Sequence, residues 1–255
     1  MALEAKVLDE GVVRLLDVMG DDTSIVAAAR VSTGGGGSKG EKADRQLIHY
    51  LMKNMHTSPF EMVEFKFYVK MPIFVARQWV RHRTASLNEI SGRYSELKTE
   101  FYLPEKSRLK GKGKINKQGS EGDVTEKAKE LFINSCELQN HMTTQYYDTD
   151  NQNNIANELA RINLPVSTYT EMIWKMDLKN LFHFLKLRTD YHAQYEIQVY
   201  AKAMAEMVKA KVPLAYEAFE EYILNSISLS QSEIKKLKDI NHPEVNEIMK
   251  SYSKF

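Results

Sequence analysis

Residues 77–94 constrain this chain more than any other stretch. They read Arg77-Gln78-Trp79-Val80-Arg81-His82-Arg83-Thr84-Ala85-Ser86-Leu87-Asn88-Glu89-Ile90-Ser91-Gly92-Arg93-Tyr94. Four arginines and a histidine in so short a span do not make a core element, because every buried charge needs a partner. Two alternatives remain: a solvated surface face, the common fate of a charge run, or a site that holds a polyanion. The residues just upstream favour the second. Pro72 opens an apolar run, Ile73-Phe74-Val75-Ala76, and proline suits a first helical turn, so the spacing predicts a helix from Pro72 to about Arg83. On that helix Arg77 and Arg81 stack four apart, where like charges repel, and an anion between them would relieve the repulsion. Asn88, Glu89, Ser91 and Arg93 add donors and acceptors suited to more than a phosphate.

The rest of the chain limits what such a site could serve. With 255 residues, 43% hydrophobic and 27% charged, it suits one globular domain or at most two. A net charge of +1 gives no overall field for nucleic acid or a membrane, so neither is predicted as a partner. The longest apolar runs fall well short of the roughly 20 residues that a membrane span needs. The first residues, Met1-Ala2-Leu3-Glu4-Ala5-Lys6, carry no signal-peptide pattern, and a soluble cytoplasmic protein is expected. Cys136 is the single cysteine, which excludes an intrachain disulfide and a cysteine metal cluster. It lies in a helical pattern with no adjacent Arg, Lys or His to lower its pKa, and reads as core rather than nucleophile. No metal-binding spacing is present, and no G-x-S-x-G surrounds Ser91, so neither a metal centre nor a serine hydrolase is predicted.

Read in order, the chain begins with a hairpin, residues 4–9 and 12–17, turning through Asp9-Glu10-Gly11. Asp21 or Asp22 caps a helix to about Arg30. The glycines at 34–37 and 40 fit G-x-G-x-x-G, but no strand precedes them and no βαβ unit frames them, so they read as a flexible loop. Glu41–Asn54 is an amphipathic helix with Leu47, Ile48, Leu51 and Met52 inward. Ser58 either caps a turn after Pro59 or belongs to a site. Phe65, Phe67 and Val69 alternate with Lys66, Tyr68 and Lys70, the pattern of a strand with one buried face. Residues 98–124 are basic, glycine-containing and poor in apolar groups, and read as a mobile surface loop without site residues. Thr125–Tyr147 is a helix followed by a polar turn at Asp148, Asp150 and Asn151. Asn154–Ile162 is a second helix, with Arg161 near its end. Residues 166–175 form a strand and Leu178–Leu187 a helix. Arg188 either pairs with Asp190 or serves a site. Helices at 193–211 and 213–224 follow, then short amphipathic helices in a tail, 226–255, with no assigned role.

The signature R-H-R-x-x-S-x-N-E-x-S-x-R-Y, filled at every fixed position by residues 81–94, resembles that of flavin-dependent thymidylate synthases. His56–Glu61 resembles the family motif H-x-[ST]-P-F-E. Ala160–Pro165 resembles A-R-x-x-L-P, and Phe184–Ile197 resembles F-L-x-L-R-x-D-x-H-A-Q-x-E-I. The likeness runs from about Val7 to about Tyr222. It implies an α/β (α+β type) single domain over residues 1–225, with a central mixed or antiparallel sheet flanked by helices, assembling as a homotetramer with flavin sites shared between subunits. The implied reaction is methylation of dUMP to dTMP. Methylenetetrahydrofolate donates the carbon, FAD carries the hydride, NADPH reduces the flavin, and tetrahydrofolate is released. The resemblance places Gln78, Trp79, Val80, Arg81, Glu89, Ile90, Ser91, Gly92, Arg93 and Arg161 around dUMP, with Arg188 beside the uracil ring as the catalytic group. It places Ser58, Arg81, His82, Arg83 and Glu89 at FAD. By spacing, Asp177 and His183 take flavin positions usually held by asparagines, so both depart from the family pattern.

Overall fold

The computed structural model describes residues 3–113, 119–240 and 242–251. Strands β1 (Glu4–Val7) and β2 (Gly11–Met19) form the expected hairpin. Gly11 is required where β2 begins: a Cβ there would meet the Tyr200 hydroxyl at 2.0 Å and the Val7 carbonyl at 2.4 Å. Helix α1 (Asp22–Val31) starts from a capping box in which Asp21 accepts from the backbone of Thr23 and Ser24. Helix α2 (Glu41–Lys53) buries Ile48, Leu51 and Met52, with Leu47 half-buried. A short 3-10 turn, Ser58–Met62, leads into β3 (Glu64–Pro72). Ser58 does not cap that turn, which has no side-chain cap.

On β3, Phe65, Phe67, Val69 and Met71 are fully buried while Lys66, Tyr68 and Lys70 face outward. Helix α3 (Ile73–Trp79) follows without a loop, with Pro72 as its N-cap. It is one turn shorter than predicted. Fully buried Trp79 anchors its end, and stopping there avoids stacking Arg81 over Arg77. The chain then pairs as an edge strand, β4 (Ser86–Glu89), which the sequence did not announce.

The expected mobile loop holds a hairpin instead, β5 (Lys110–Lys112) with β6 (Ser120–Asp123); residues 114–118 of that expectation lie outside the described residues. Helix α4 (Glu126–Gln152) runs straight through the predicted polar turn, because no Gly or Pro interrupts it. It stops where Asn154 adopts φ +60°, a conformation asparagine tolerates, and Ile155 N–H returns to the Asp150 carbonyl at 3.0 Å. Helix α5 (Asn157–Ala160) and a 3-10 turn, Arg161–Asn163, replace the single predicted helix. Strand β7 (Tyr169–Asp177), helix α6 (Leu178–Thr189), helix α7 (Tyr195–Lys211) and helix α8 (Pro213–Phe219) complete the body, with a π-helical turn over Glu220–Leu224. Helices α9 (Gln231–Ile240) and α10 (Pro243–Ser251) form the tail.

Among the described residues the main sheet has the order β1-β2-β3-β7-β4, and every pair is antiparallel. Its apolar face joins a core in which Trp79, Trp174, Phe184 and Tyr200 meet, with the Trp79 and Phe184 rings 4.7 Å apart. The other face carries polar partners such as Lys66–Asp17 and Lys175–Glu64. Burying one sheet face under helices leaves the 3-10 turn before β3 and the start of α6 side by side, and the functional cavity lies there.

Candidate active site

Asp177 ends β7 and caps α6, accepting from the backbone N–H of Asn180 at 2.9 Å and its side-chain amide at 2.6 Å. The cap aims the first turn of α6, and Lys179, His183 and Lys186 then recur at helical spacing along one face. That face meets the end of α3 and the turn after it. Between them is a cavity of about 1280 Å³. Arg77, Arg81, Arg83, Lys179, Lys186 and Arg188 line it, with His82 and His183, and no Asp or Glu is among its lining residues. Met52, Met55, Phe60 and Phe182 supply an apolar part. Lys179 pairs with Glu61, outside the lining, at 3.8 Å, and ligand charge would relieve the repulsion among the other five cations, so the cavity suits an anion.

Arg188 is fixed in the cavity wall. Its Nε donates to His82 Nε2 at 3.0 Å and its Nη2 to the Gln78 carbonyl at 3.2 Å, which leaves Nη1 for a ligand. The alternative pairing with Asp190 is not made; Asp190 accepts from the backbone N–H of His192 and contacts its ring nitrogen, each at 2.8 Å. Burial, then Arg188 and His183, push the His82 pKa from 6.5 down to about 4. His82 is therefore neutral at pH 7, and its Nε2 is free to accept from the guanidinium. Burial and nearby Arg81 lower the Arg188 pKa.

The sequence-predicted residues divide. Gln78, Arg81, His82, Arg83, His183 and Arg188 line the cavity. Trp79 has its side chain in the core, so any ligand contact from it is through backbone. Val80 is exposed beside the cavity. Ser58 is exposed outside the lining, whereas its neighbours Thr57 and Phe60 belong to it. Asp177 is engaged as a cap, and Lys179 and Asn180 take the wall position. A second group gathers at the β4 edge. Glu89 accepts from the Thr170 hydroxyl at 2.6 Å, and Ile90 N–H donates to the Glu171 carbonyl at 2.9 Å. Ser91 Oγ accepts from Arg93 N–H at 3.3 Å, and Arg93 pairs with Glu158 at 3.1 Å. Gly92 packs on Arg161, whose Cδ would lie 3.0 Å from an added Cβ. None of these lines the cavity within one chain. Sequence reasoning missed Lys179, Asn180, Lys186, Ser226 and Ser228 as wall residues. The 4-then-3 spacing on α6 was a usable signal for the lysines; the serines carried none.

The model for thymidylate synthase complementing protein matches residues 14–214. A flavin-dependent thymidylate synthase of Thermus thermophilus is 54% identical over 245 residues, covering 96% of this chain and 88% of that one. The chain belongs to the flavin-dependent thymidylate synthase family. A member from Rickettsia conorii is 49% identical over 246 residues, covering 91% and 83%. Among solved structures, a UMP/dUMP methylase, PolB from Streptomyces cacaoi, bound with 5-bromo dUMP, is 34% identical with a TM-score of 0.78, covering 86% of this chain and 98% of that chain. The match to the Thermus synthase covers enough of the chain to extend past Tyr222 into the tail, further than the motifs alone implied.

Proposed function

We propose that this flavin-dependent thymidylate synthase converts dUMP to dTMP, taking a methylene group from methylenetetrahydrofolate and two electrons and a proton from reduced FAD, which NADPH regenerates. Tetrahydrofolate is the folate product. The acid-free cavity with six cations carries this reading, together with family membership. It fits FAD in charge and character: Arg81, Arg83, Lys179 and Lys186 would hold a diphosphate, His82, His183 and Asn180 could donate or accept, and the methionines and Phe60 would cover a ring system. FAD, when bound, supplies the hydride. Ser58, Glu89 and Asp177 complete the flavin surroundings only through backbone or through a second copy.

The protein's own work is binding and electrostatics. Arg188 Nη1 is directed at the uracil ring, where a guanidinium favours the ionised N3 state and raises electron density at carbon 5. His82 and the Gln78 carbonyl hold that guanidinium in one orientation. Carbon 5 then attacks the methylene carbon as one of its two bonds to folate nitrogen breaks; loss of the carbon 5 proton breaks the other and releases tetrahydrofolate, and a hydride completes the methyl group, so no protein nucleophile is needed. This agrees with Cys136, whose thiol pKa is raised by burial, then by Glu137, on a helix outside the cavity wall. Gln78, Trp79, Val80 and Arg81 border the nucleotide from one side. Glu89, Ile90, Ser91, Gly92 and Arg93, with Arg161, border it from a second subunit.

That division supports a homotetramer with shared sites. Of the 27 residues of α4 only Tyr147 is buried, while Leu131, Phe132, Leu138, Met142 and Tyr146 are exposed. An apolar helix face of that extent calls for another copy of the chain. Residues 1–225 then form the synthase domain and 226–255 a C-terminal extension, whose Ser226 and Ser228 line the cavity ahead of α9 and α10. No helix among the described residues is long and apolar enough to cross a membrane, and we assign a cytoplasmic location. The test is tritium release from carbon 5 of labelled dUMP with FAD, NADPH and methylenetetrahydrofolate, each omitted in turn. Release that persists without FAD would overturn the assignment.

A further inference from the structure

Arg108 belongs to the basic segment from which no site residues were expected, yet it begins a polar chain that ends in the cavity. Its Nε and Nη2 donate to Glu196 Oε1 and Oε2 at 2.8 and 3.3 Å. The Glu196 side chain is only 4% exposed, and the Tyr102 hydroxyl adds a third donor at 3.2 Å. The remaining Arg108 nitrogen, Nη1, holds Ser120 of β6 at 2.9 Å, and its guanidinium lies 5.4 Å over the Tyr195 ring. The β5–β6 hairpin is thereby fastened to the first turn of α7. From Glu196 the chain continues inward. Gln194 Nε2 donates to Glu196 Oε2 at 2.8 Å, and Gln194 Oε1 accepts from Gln78 Nε2. Gln78 lines the cavity, and its carbonyl holds Arg188.

The direction of this chain is set by charge. An ionised carboxylate only accepts, so Gln194 must turn its NH₂ toward Glu196 and its oxygen toward Gln78. Gln78 must then give its own NH₂ to Gln194, which leaves Oε1 as the acceptor of a side chain that lines the cavity. Each bond polarises the next, and neither amide can flip without losing one.

We propose that Arg108 and Glu196 are positioning residues for nucleotide binding, acting through Gln194 to present Gln78 Oε1 as a fixed acceptor for a hydroxyl or N–H of dUMP. This rests on the assignment of Gln78 to the nucleotide. The inserted hairpin thereby acquires a role, since Arg108 prevents a buried carboxylate from standing alone, and the carboxylate fixes two amides.

The test is calorimetric titration of dUMP into FAD-loaded protein. The paired change Arg108→Met with Glu196→Gln removes both charges together, so that no buried ion is stranded. It is expected to weaken dUMP about tenfold, the worth of one well-oriented hydrogen bond, with the flavin content per chain unchanged. In a Gln78→Ala background the same pair is expected to cost less than about twofold, because the target of the relay is gone. Gln194→Met leaves the buried pair intact and is expected to give the same tenfold loss, which keeps the test open if the paired variant folds poorly. Unchanged affinity in Gln194→Met, or an equal loss with and without Gln78, would overturn the relay. Unchanged affinity in Gln78→Ala alone would overturn the placement of Gln78 at the nucleotide, and the relay with it.

Discussion

Replacing Arg188 by alanine separates its two possible uses, ring activation and flavin retention. Its guanidinium is fixed through Nε and Nη2, and Nη1 is the group proposed for the substrate. A unit positive charge about 4 Å from a developing negative charge, at an effective dielectric of about 20, is worth roughly 4 kcal/mol. That corresponds to about a thousandfold in rate, in line with the roughly 10²- to 10³-fold cost of deleting one oxyanion donor. Flavin should stay bound, because Arg77, Arg81, Arg83, Lys179 and Lys186 still line the cavity. The assay is tritium release from carbon 5 under saturating dUMP, with absorbance near the flavin maximum read on the same sample. The expected result is full flavin content and turnover reduced by about a thousandfold. Undiminished turnover would refute ring activation. So would a loss of turnover that matches a loss of flavin, since Arg188 would then only be holding the cofactor.

Three further outcomes follow from the same geometry. His82 has a folded pKa of about 4 against 6.5 when unfolded, so the unfolded chain binds more protons between those values. Its contribution is fully present above about pH 6.5 and is lost as pH falls toward 4; denaturant midpoints should decline over that window, less steeply in His82→Asn. Lys179→Glu reverses a charge at the wall, next to Glu61 with which Lys179 is paired at 3.8 Å, and should weaken FAD at least tenfold by equilibrium dialysis, while the ligand-free protein keeps a cooperative melting transition. Cys136→Ser should retain full tritium release, since the thiol is outside the cavity wall; loss of activity there would reinstate a cysteine mechanism.

Periodicity made the frame legible. The alternation on β3 and the inward stripe of α2 were both plain in the sequence, because each face of those elements meets one environment. The cations at 77–83 were legible as an anion site for the opposite reason: no core could hold them. What escaped notice depended on partners distant in sequence. Ser86–Glu89 has no strand alternation and becomes β4 only because β7 offers it an edge. Asp177 could not be seen as a cap without knowing where β7 ends and α6 begins. Ser226 and Ser228 reach the cavity from an irregular segment, where spacing carries no information. Arg108 looked like one more charge of a solvated loop, and only the fold shows it meeting Glu196, 88 positions later.

The absence of carboxylates from the cavity wall has a consequence for stability. The cations there repel one another in the ligand-free protein, and the fold must carry that cost. Raising ionic strength from about 0.01 to 0.15 M shortens the Debye length from roughly 30 to 8 Å, so ligand-free protein should melt higher in salt. FAD bound only to the folded state adds RT ln(1 + [L]/Kd), about 2.7 kcal/mol at one hundred times Kd. At roughly 2–4 °C per kcal/mol for a chain of this size, the melting temperature should rise by about 5–10 °C. The salt effect should shrink once FAD is bound, because the two charges of the diphosphate already offset part of the wall's positive charge. Scanning calorimetry at fixed protein concentration reads both effects. Were the ligand-free protein to melt at one temperature in low and moderate salt, and FAD to leave it there, the six cations would be compensated by some other charge, and the cavity would not be the anion site described above.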